Sequence, residues 1–307
     1  MKITLVHNPS AGSGQSARDL VRLITDAGHE VRHQSSERKL EQLLRDPCDL
    51  IVAAGGDGTV ARVLLAAADA QVPFAAIPIG TANNIAKTLG VLGDARELVE
   101  TWSTPPRAER PFDIGTIVAP WGHYRFVEAV GGGPIAELIR RGEEVAADAT
   151  LLGRETDRAL HLLGELVLEA PVRYWKIDAD GVDLSGEYIA VEVLNIRFVG
   201  PNLPLAPEAD PSDGALDIVL VGEADRKPLL AYLENRLNLA SGELPDLRVV
   251  RARSIEIIAP AGVQCHLDDQ VWPLDQRLDN AAALSVSCLS GAATFVGTAE
   301  GPPRKLA

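Results

Sequence analysis

Short apolar runs alternate with stretches of helical periodicity over roughly the first third of the chain. Strands are predicted at residues 3–6, 30–33, 50–53 and 74–78, and helices at residues 15–27, 37–45, 58–70, 82–89 and 95–102. Strand and helix in alternation predict a parallel sheet covered by helices. A ligand of such a sheet binds beyond the carboxyl ends of the strands.

The pattern changes after the prolines at positions 105, 106 and 111. Short strands are then predicted between Gly, Pro and Asp turns, at residues 113–118, 124–130, 173–178, 188–196, 216–221 and 254–259. A helical insertion is predicted at residues 135–169 and a further helix at residues 227–240. Short strands separated by such turns are typical of a mostly antiparallel domain. We therefore predict an α/β domain at residues 1–113 and a mostly-β domain at residues 114–290, with residues 291–307 packing back on the first.

Composition and charge exclude several classes of protein. A chain of 307 residues with 46% hydrophobic positions can bury a substantial core. The formal net charge of -14 repels phosphate backbones and anionic lipid, and 4% aromatic residues leave few stacking surfaces for single strands. A nucleic-acid partner is not expected.

The cysteines and the apolar runs indicate where the protein works. Cys48, Cys265 and Cys288 show neither CxxC spacing nor an even count, so no disulfide framework or zinc site is predicted. Runs such as residues 63–68 are far shorter than the roughly 18 to 20 residues of a membrane span. We expect a cytoplasmic protein that is at most peripheral at the inner membrane face.

Three glycine-bearing turns each follow a predicted strand of the first domain, at residues 8–14, 55–59 and 78–84. Glycines let the backbone approach an anion closely, and the following helix N-termini add positive potential. Any one of these turns can be a simple βα connection, whereas three at one sheet edge predict a phosphate cradle. The candidate ligand-binding residues are Asn8, Ser10, Gly12, Gly55, Gly56, Gly58, Thr59, Gly80, Thr81 and Asn83.

Asp57 lies inside this cradle, where a carboxylate would repel a phosphate. Mg²⁺ would reconcile the two, because it binds one or two carboxylates together with phosphate oxygens. The alternative is that Asp57 caps the helix that begins near Gly58. Ligand binding or helix capping is likewise open to four neighbouring side chains, Thr59, Thr81, Asn83 and Asn84.

The ordered motifs resemble the diacylglycerol kinase catalytic-domain family, which includes bacterial lipid kinases and sphingosine kinases. They are GGDGT at residues 55–59, its partners at 8–14 and 78–83, then DGALD at 213–217 and LDDQ at 267–270. GGDGT alone is shared with NAD kinases, but the ordered set spans most of the chain. The resemblance implies an N-terminal α/β nucleotide domain and a C-terminal β-sandwich-like lipid domain, with ATP and Mg²⁺ in the cleft between them.

The same resemblance implies a reaction and a set of roles. The γ-phosphoryl group of ATP would move to a hydroxyl of a lipid such as diacylglycerol. Residues 55–59, Gly80 and Thr81 would hold the nucleotide, with Asp57 near the phosphates and metal. Asp268 would be the general base. Asp213 and Asp217 match a family site for a structural Mg²⁺, although a plain turn-and-strand role is equally open to them.

Departures from the family pattern keep two other functions open. Family members commonly follow GGDGT with an Asn or His and a Glu, where this chain has Val60-Ala61-Arg62. The usual Asp-Gly-Glu triplet reads Asp268-Asp269-Gln270, and Asn84 stands where Asp is more usual. The alternatives are a kinase of a soluble acceptor, including NAD, and a non-catalytic sensor of nucleotide or lipid.

A lipid acceptor also requires an apolar entrance and a surface that meets the membrane. The Pro-rich apolar segment at residues 199–207 is a candidate lip, with an ordinary packed loop as the alternative. Arg248, Arg251 and Arg253 form a candidate basic patch for transient membrane contact. Pairing of edge strands would allow a homodimer.

Overall fold

The computed structural model describes residues 1–12, 15–37, 46–91, 93–104, 107–146, 155–238, 242–273 and 277–297. The predicted helix at residues 37–45, apart from residue 37, and positions 13 and 14 of the first glycine turn lie outside these ranges. The chain divides into two compact units. One comprises Met1–Ile114, Asp210–Asp213 and the described residues from Ser290 on, and the other comprises Gly115–Ala209 and Gly214–Leu289. The predicted domain boundaries stay predictions.

The first unit contains the parallel sheet that the alternating pattern predicts. Its strands are β1 (Lys2–His7), β2 (Glu30–Ser35), β3 (Leu50–Gly55) and β4 (Phe74–Pro78), in the order β2-β1-β3-β4. Each neighbouring pair is parallel. All six residues of β3 are buried, as is typical of a central strand covered on both faces. The predicted α/β class is therefore confirmed.

Helices cover this sheet and connect its strands. They are α1 (Ala17–Asp26), α2 (Asp57–Ala70), α3 (Asn84–Leu89) and α4 (Ala95–Ser103). Local side chains start two of them: Ser16 accepts the N–H of Asp19 before α1, and Asp94 forms a capping box with Glu97 at α4. Trp102 of α4 is 1% exposed and packs in the same cluster as the strand residue Leu5.

Two long strands contribute to both units. They are β5 (Ala108–Ala119) and β17 (Ala282–Gly297). Phe295 of β17 pairs in parallel with Phe74 of β4 inside the first unit. Within the second unit, β17 pairs in antiparallel register with a strand at Ser254–Ala259. β17 was not predicted from the sequence, although Leu284, Val286 and their neighbouring serines alternate in the way that a strand requires.

The second unit is mostly antiparallel, as predicted. Its remaining elements are β6 (Gly122–Phe126), β7 (Ala129–Gly132), α5 (Pro134–Ala146), α6 (Glu155–Glu169), β8 (Arg173–Ala179), β9 (Val182–Asp183), β10 (Gly186–Tyr188), β11 (Ala190–Leu194), β12 (Leu216–Val221), α7 (Arg226–Leu237), β13 (Arg248–Ala252), β14 (Ser254–Ala259), β15 (Cys265–Leu267) and β16 (Gln270–Val271). Six strands form one sheet in the order β13-β12-β11-β7-β15-β16, and every registered pairing in it is antiparallel.

This six-stranded sheet is covered on both faces. Val193 and Ile218 share a buried cluster with Ile257 of β14, so one face packs against the second antiparallel layer. Leu194 and Val219 share another cluster with residues of α5, α6 and α7, so the other face packs against helices. The helical insertion at residues 135–169 is thus two described helices, and residues 147–154 between them lie outside the described ranges.

Two predicted strands are each divided in the structure. The run at residues 124–130 becomes β6 and β7, and the run at residues 188–196 becomes β10 and β11. In both cases the first half belongs to one sheet and the second half to the six-stranded sheet. The prediction of an uninterrupted strand was therefore wrong. The first break has a specific cause, because backbone N–H groups of residues 127–129 donate to a side chain rather than to a neighbouring strand.

The segment at residues 199–207 is a packed loop, and the predicted membrane lip is wrong. Leu203 is 1% exposed and Leu205 is 4% exposed. Both lie in the cluster shared with α5, α6 and α7, where their apolar side chains fill the space between sheet and helices. Among the helices in the described part of the chain, none is long and apolar enough to span a membrane.

Candidate functional site

The three glycine turns meet at one edge of the parallel sheet. They follow β1, β3 and β4, whose carboxyl ends point the same way. The chain moves from β1 outward to β2 and then returns to β3 on the other side of β1, which makes the edge between β1 and β3 a topological switch point. Nδ2 of Asn8 donates to Oγ1 of Thr59 at 3.2 Å, so the first two turns are joined at that point.

The second and third turns pack backbone against backbone. A Cβ atom on Gly80 would lie 2.3 Å from the Cα of Gly56, and one on Gly55 would lie 2.5 Å from the Cβ of Thr59. Glycine at positions 55 and 80 is therefore required by the packing of the turns themselves. A Cβ on Gly12, in contrast, would meet no atom of the described residues within 4 Å. Within that part of the chain, space remains beside the backbone of Gly12.

Other predicted ligand-binding residues have definite local roles. The amide of Asn83 closes the third turn, since its Oδ1 accepts the N–H of Gly80 at 3.1 Å and its Nδ2 donates to the Gly80 carbonyl at 2.8 Å. Ser10 and Thr81 are exposed. The half-buried Gly58 lies in the first turn of α2, whose N-cap residue, Gly56, has no side chain to cap the helix.

Asp57 contacts a different helix from the one expected. It begins α2, yet its Oδ1 accepts the N–H of Ile85 at 2.9 Å, and the amides of Asn83 and Asn84 also donate to the carboxylate. Asp57 therefore caps α3, and the alternative interpretation, that it caps its own helix, is wrong. Burial raises the pKa of Asp57, against the lowering effect of these three hydrogen bonds and of Lys87.

The departure from the family pattern after GGDGT has a packing role. Val60 is 2% exposed and Ala61 is 5% exposed, so both face the interior. The next side chain, Arg62, donates from Nη2 to the backbone carbonyl of Ser36 at 3.1 Å. This hydrogen bond ties the first turns of α2 to the residue that follows β2.

Asp268, in the second unit, lies in a cradle of backbone amides. Its Oδ1 accepts from the N–H groups of Glu128 at 2.7 Å and Ala129 at 3.2 Å, and its Oδ2 accepts from Val127 at 3.0 Å. Burial raises the pKa of Asp268 to about 6, the three amides oppose that rise, and the neighbouring Asp269 adds to it. A carboxylate with this pKa is suited to remove a proton near neutral pH.

Asn195 supports this cradle and was not singled out by sequence reasoning. Its Nδ2 donates to the carbonyl of Val127 at 3.0 Å, and its own N–H donates to the carbonyl of Glu128 at 2.9 Å. Asn195 is 1% exposed and directly follows the five buried residues of β11. The sequence signal that could have identified Asn195 is its position, because it is a polar residue at the end of an apolar strand.

The remaining predicted metal ligands have other neighbours. Asp213 donates its N–H to the carbonyl of Asp210 at 3.2 Å, in a turn of the first unit. Asp217 lies on β12 of the second unit, with its Oδ1 4.0 Å from Nε of Arg251. Within the described ranges, no group of three or more His, Cys, Asp or Glu side chains could hold a metal ion. Magnesium binding at positions 57, 213 and 217 stays a prediction.

Comparison with known proteins identifies the family. A model of the diacylglycerol kinase catalytic domain matches residues 2–117, and a model described as the YegS C-terminal NAD kinase beta sandwich-like domain matches residues 141–273. A probable lipid kinase YegS-like protein of Pseudomonas fluorescens is 30% identical over 81% of this chain and 78% of its own. A diacylglycerol kinase of Bacillus subtilis is 26% identical over 87% of this chain and 88% of its own.

A solved structure shares the fold. The crystal structure of a diacylglycerol kinase from Bacillus anthracis superposes with a TM-score of 0.68 at 24% identity, covering 97% of each chain. Two domain models in the expected order and a 30% identical relative over most of both chains agree with the motifs described above. This chain belongs to the diacylglycerol kinase catalytic-domain family.

Proposed function

We propose that this protein is a lipid kinase that transfers the γ-phosphoryl group of ATP to a hydroxyl of a lipid such as diacylglycerol. The observation that carries the proposal is the amide-bound carboxylate of Asp268, whose pKa is raised to about 6. The three glycine turns at the switch point of the parallel sheet support it. In this proposal the first unit binds the nucleotide and the second unit supplies the base.

The nucleotide would be held by backbone groups of the first unit. The backbone at Gly12 and the N-terminus of α2, which begins after the N-cap residue Gly56, are suited to phosphate oxygens. Asp57 fits Mg²⁺, because carboxylate oxygens are the donors this ion prefers and three amide contacts leave the carboxylate further lone pairs. When bound, ATP would supply the phosphoryl group, and Mg²⁺ would offset the negative charge of its phosphate oxygens.

The acceptor hydroxyl would give its proton to Oδ2 of Asp268. This oxygen accepts from one backbone amide, that of Val127, whereas Oδ1 accepts from the amides of residues 127–129. Oδ2 therefore keeps a lone pair that can face a substrate. Because such reactions depend mostly on positioning and charge neutralisation, a fixed carboxylate direction is the main contribution of the second unit.

The decisive experiment presents the purified protein with MgATP and a panel of acceptors. The panel contains detergent-dispersed diacylglycerol, other lipid alcohols, NAD and soluble alcohols, and products are resolved by mass spectrometry. We expect a phosphorylated lipid. Phosphorylated NAD with no lipid product would support the soluble-acceptor alternative, and ATP binding without any product would support the sensor.

Substituting Ala for Gly12 tests the phosphate cradle separately from the reaction. The added methyl group meets no atom of the described chain within 4 Å, so we expect an unchanged melting temperature. Where a phosphate occupies that space, the methyl group should raise the Kd for MgATP by about tenfold or more, equivalent to about 1.4 kcal/mol. Isothermal titration calorimetry measures the Kd for MgATP of the wild type and of the variant.

Gly164→Ala is the matched control for this substitution. Gly164 lies in α6 of the second unit, and its Cβ would likewise meet no described atom within 4 Å. Ala is the better helix former, so this variant should keep the wild-type Kd and gain slight stability. A Gly12→Ala protein with wild-type affinity for MgATP would contradict a phosphate site at the first turn.

A further inference from the structure

A fully buried histidine and glutamate meet next to the candidate base. Nε2 of His266 lies 2.7 Å from Oε2 of Glu192, and both side chains are 0% exposed. His266 is on β15 and Glu192 is on β11, and β7 lies between these strands. Both residues are opposite Gly131 in the two registers. Their side chains therefore reach each other across the one intervening strand.

Gly131 makes this contact possible. A Cβ atom at position 131 would lie 2.0 Å from Oε2 of Glu192, so any side chain there would displace the glutamate. On β7, the absence of a side chain at position 131 leaves the space in which the Glu192 carboxylate lies. A buried charged pair is costly unless both groups are matched and hydrogen-bonded. Such an arrangement calls for a role beyond filling the core.

The second ring nitrogen of His266 connects the pair to Asp268. Nδ1 of His266 lies 2.9 Å from the backbone carbonyl oxygen of Asp268. A carbonyl oxygen only accepts, so Nδ1 carries a proton and donates it. Burial by itself lowers the pKa of His266, but the Glu192 carboxylate and the contacts with Asp268 outweigh burial and leave that pKa raised. When the ring is protonated, it donates from both nitrogens.

Asp268 needs such support because its backbone is in an unusual conformation. Its φ of 50° lies in the left-handed region, which residues other than glycine adopt only when surrounding contacts hold them there. Its N–H donates to the carbonyl of Ala129 at 2.8 Å, and its carboxylate accepts from the amides of residues 127–129. His266 holds the remaining polar group of the residue, the carbonyl.

We propose that His266 and Glu192 form a positioning pair, in which Glu192 orients the imidazole and the imidazole fixes the peptide that directs the Asp268 carboxylate toward the acceptor hydroxyl. The inference rests on the proposed role of Asp268 as base. Neither member of the pair touches the reacting atoms. Their contribution is the direction of the carboxylate, which general-base catalysis requires within hydrogen-bond reach of the acceptor.

Two substitutions of His266 separate positioning from core stability. In His266→Asn, the amide nitrogen takes the place of Nδ1, so the bond to the Asp268 carbonyl is kept and the Glu192 contact is lost. In His266→Gln, the longer amide takes the place of Nε2, so the Glu192 contact is kept and the bond to Asp268 is lost. Each variant therefore loses one of the two hydrogen bonds of His266 and keeps the other.

We expect the loss of kcat in one variant and the loss of stability in the other. His266→Gln should lower kcat on the order of 10- to 100-fold with an unchanged KM for ATP, since a misdirected group costs about that much. His266→Asn should keep kcat within about threefold of wild type but melt at a lower temperature, because it leaves Glu192 buried and unpaired. A purely structural histidine would instead lose kcat in proportion to the loss of stability.

Glu192→Gln provides a variant that keeps both contacts. Its amide can donate to Nε2 of a neutral imidazole, while Nδ1–H still donates to the Asp268 carbonyl. We expect kcat within about threefold of wild type. A loss as large as that of His266→Gln would overturn the inference, because the hydrogen bond to Asp268 would then not be the element that matters.

The remaining outcomes distinguish the inference from the proposed function. Full kcat in His266→Gln, with an inactive Asp268→Asn, overturns the inference and leaves the lipid kinase in place. Full activity in Asp268→Asn overturns both the base and the pair. If the wild type phosphorylates no lipid, the proposed function fails, and a crystal structure of His266→Gln decides the inference: a displaced Asp268 carboxylate supports it, and one still bound by residues 127–129 overturns it.

Discussion

Replacing Asp268 with Asn is expected to lower kcat by roughly 10²- to 10⁴-fold, the usual contribution of a general base. The substitution leaves the cradle in place, because the amide oxygen still accepts from the N–H groups of Glu128 and Ala129. Asn also tolerates the φ of 50° at this position better than most residues. Steady-state turnover of the lipid acceptor, with melting temperature as the check on folding, measures the effect.

Asp269→Asn is the matched control. Asp269 is exposed, and its negative charge contributes to the raised pKa of Asp268. We expect this variant to keep kcat at its optimum within about threefold, since the base itself is intact. An Asp269→Asn protein as inactive as Asp268→Asn would mean that the wrong carboxylate has been assigned.

The pH dependence of activity should follow the ionisation of Asp268. The base works only when deprotonated, so kcat/KM should fall as the pH drops below about 6, where burial places the pKa of Asp268. In Asp269→Asn this acid limb should move to lower pH, because a neighbouring negative charge has been removed. An acid limb that persists unchanged in the residual activity of Asp268→Asn would contradict the assignment.

The same group makes stability depend on pH in a defined direction. The folded-state pKa of Asp268, about 6, lies above the value of about 3.9 for an unfolded chain. The native state therefore binds this proton more readily, and its contribution to stability is complete below about pH 4 and lost as the pH rises through about 6. Urea unfolding at pH 4 and pH 8 measures this dependence. The free energy of unfolding of the wild type, relative to that of Asp268→Asn, should be larger at pH 4 than at pH 8.

Replacing Gly80 with Ala is expected both to destabilise the first unit and to weaken nucleotide binding. The new Cβ would lie 2.3 Å from the Cα of Gly56, a backbone atom that cannot rotate away. Overpacking of this kind costs typically 1–3 kcal/mol, and relief requires the second and third turns to separate. Because these turns form the predicted phosphate cradle, the Kd for MgATP should rise by at least about tenfold.

Gly56→Ala tests the same contact from the other side. Its Cβ would lie 3.4 Å from the Cα of Gly80, close to ordinary van der Waals contact, and Gly56 has an extended backbone that any residue adopts. We expect a loss of stability well below that of Gly80→Ala, measured by thermal or urea unfolding. Equal losses in the two variants would show that the turns do not pack as described.

The pattern of strands and turns predicted the arrangement of the first unit well. Periodicity identified β1, β3 and β4, and their parallel pairing follows from the helices between them. The breaks within residues 124–130 and 188–196 were missed, because local pattern does not register where a strand leaves one sheet for another. β17 was missed because alanine, serine and glycine carry little β propensity.

The candidate site divides in the same way. The residue types of the three turns pointed to phosphate binding, and the resemblance to the family pointed to Asp268 as a base. The partners of those residues did not follow from their types. Asp57 was expected to face a phosphate or its own helix, and it binds the N-terminal amides of α3. His266 and Glu192 carry no motif at all and are joined only by the gap at Gly131.

The sequence by itself determined the edge at which the glycine turns of this protein meet, because neighbouring parallel strands all end on the same side of their sheet. Only the tertiary structure decided what the carboxylates of Asp57 and Asp268 contact. Their partners are backbone amides 28 and about 140 residues away in the chain, and a backbone amide has the same chemistry in every residue except proline. Which amides face a carboxylate depends on packing across strands and helices, which no local pattern records.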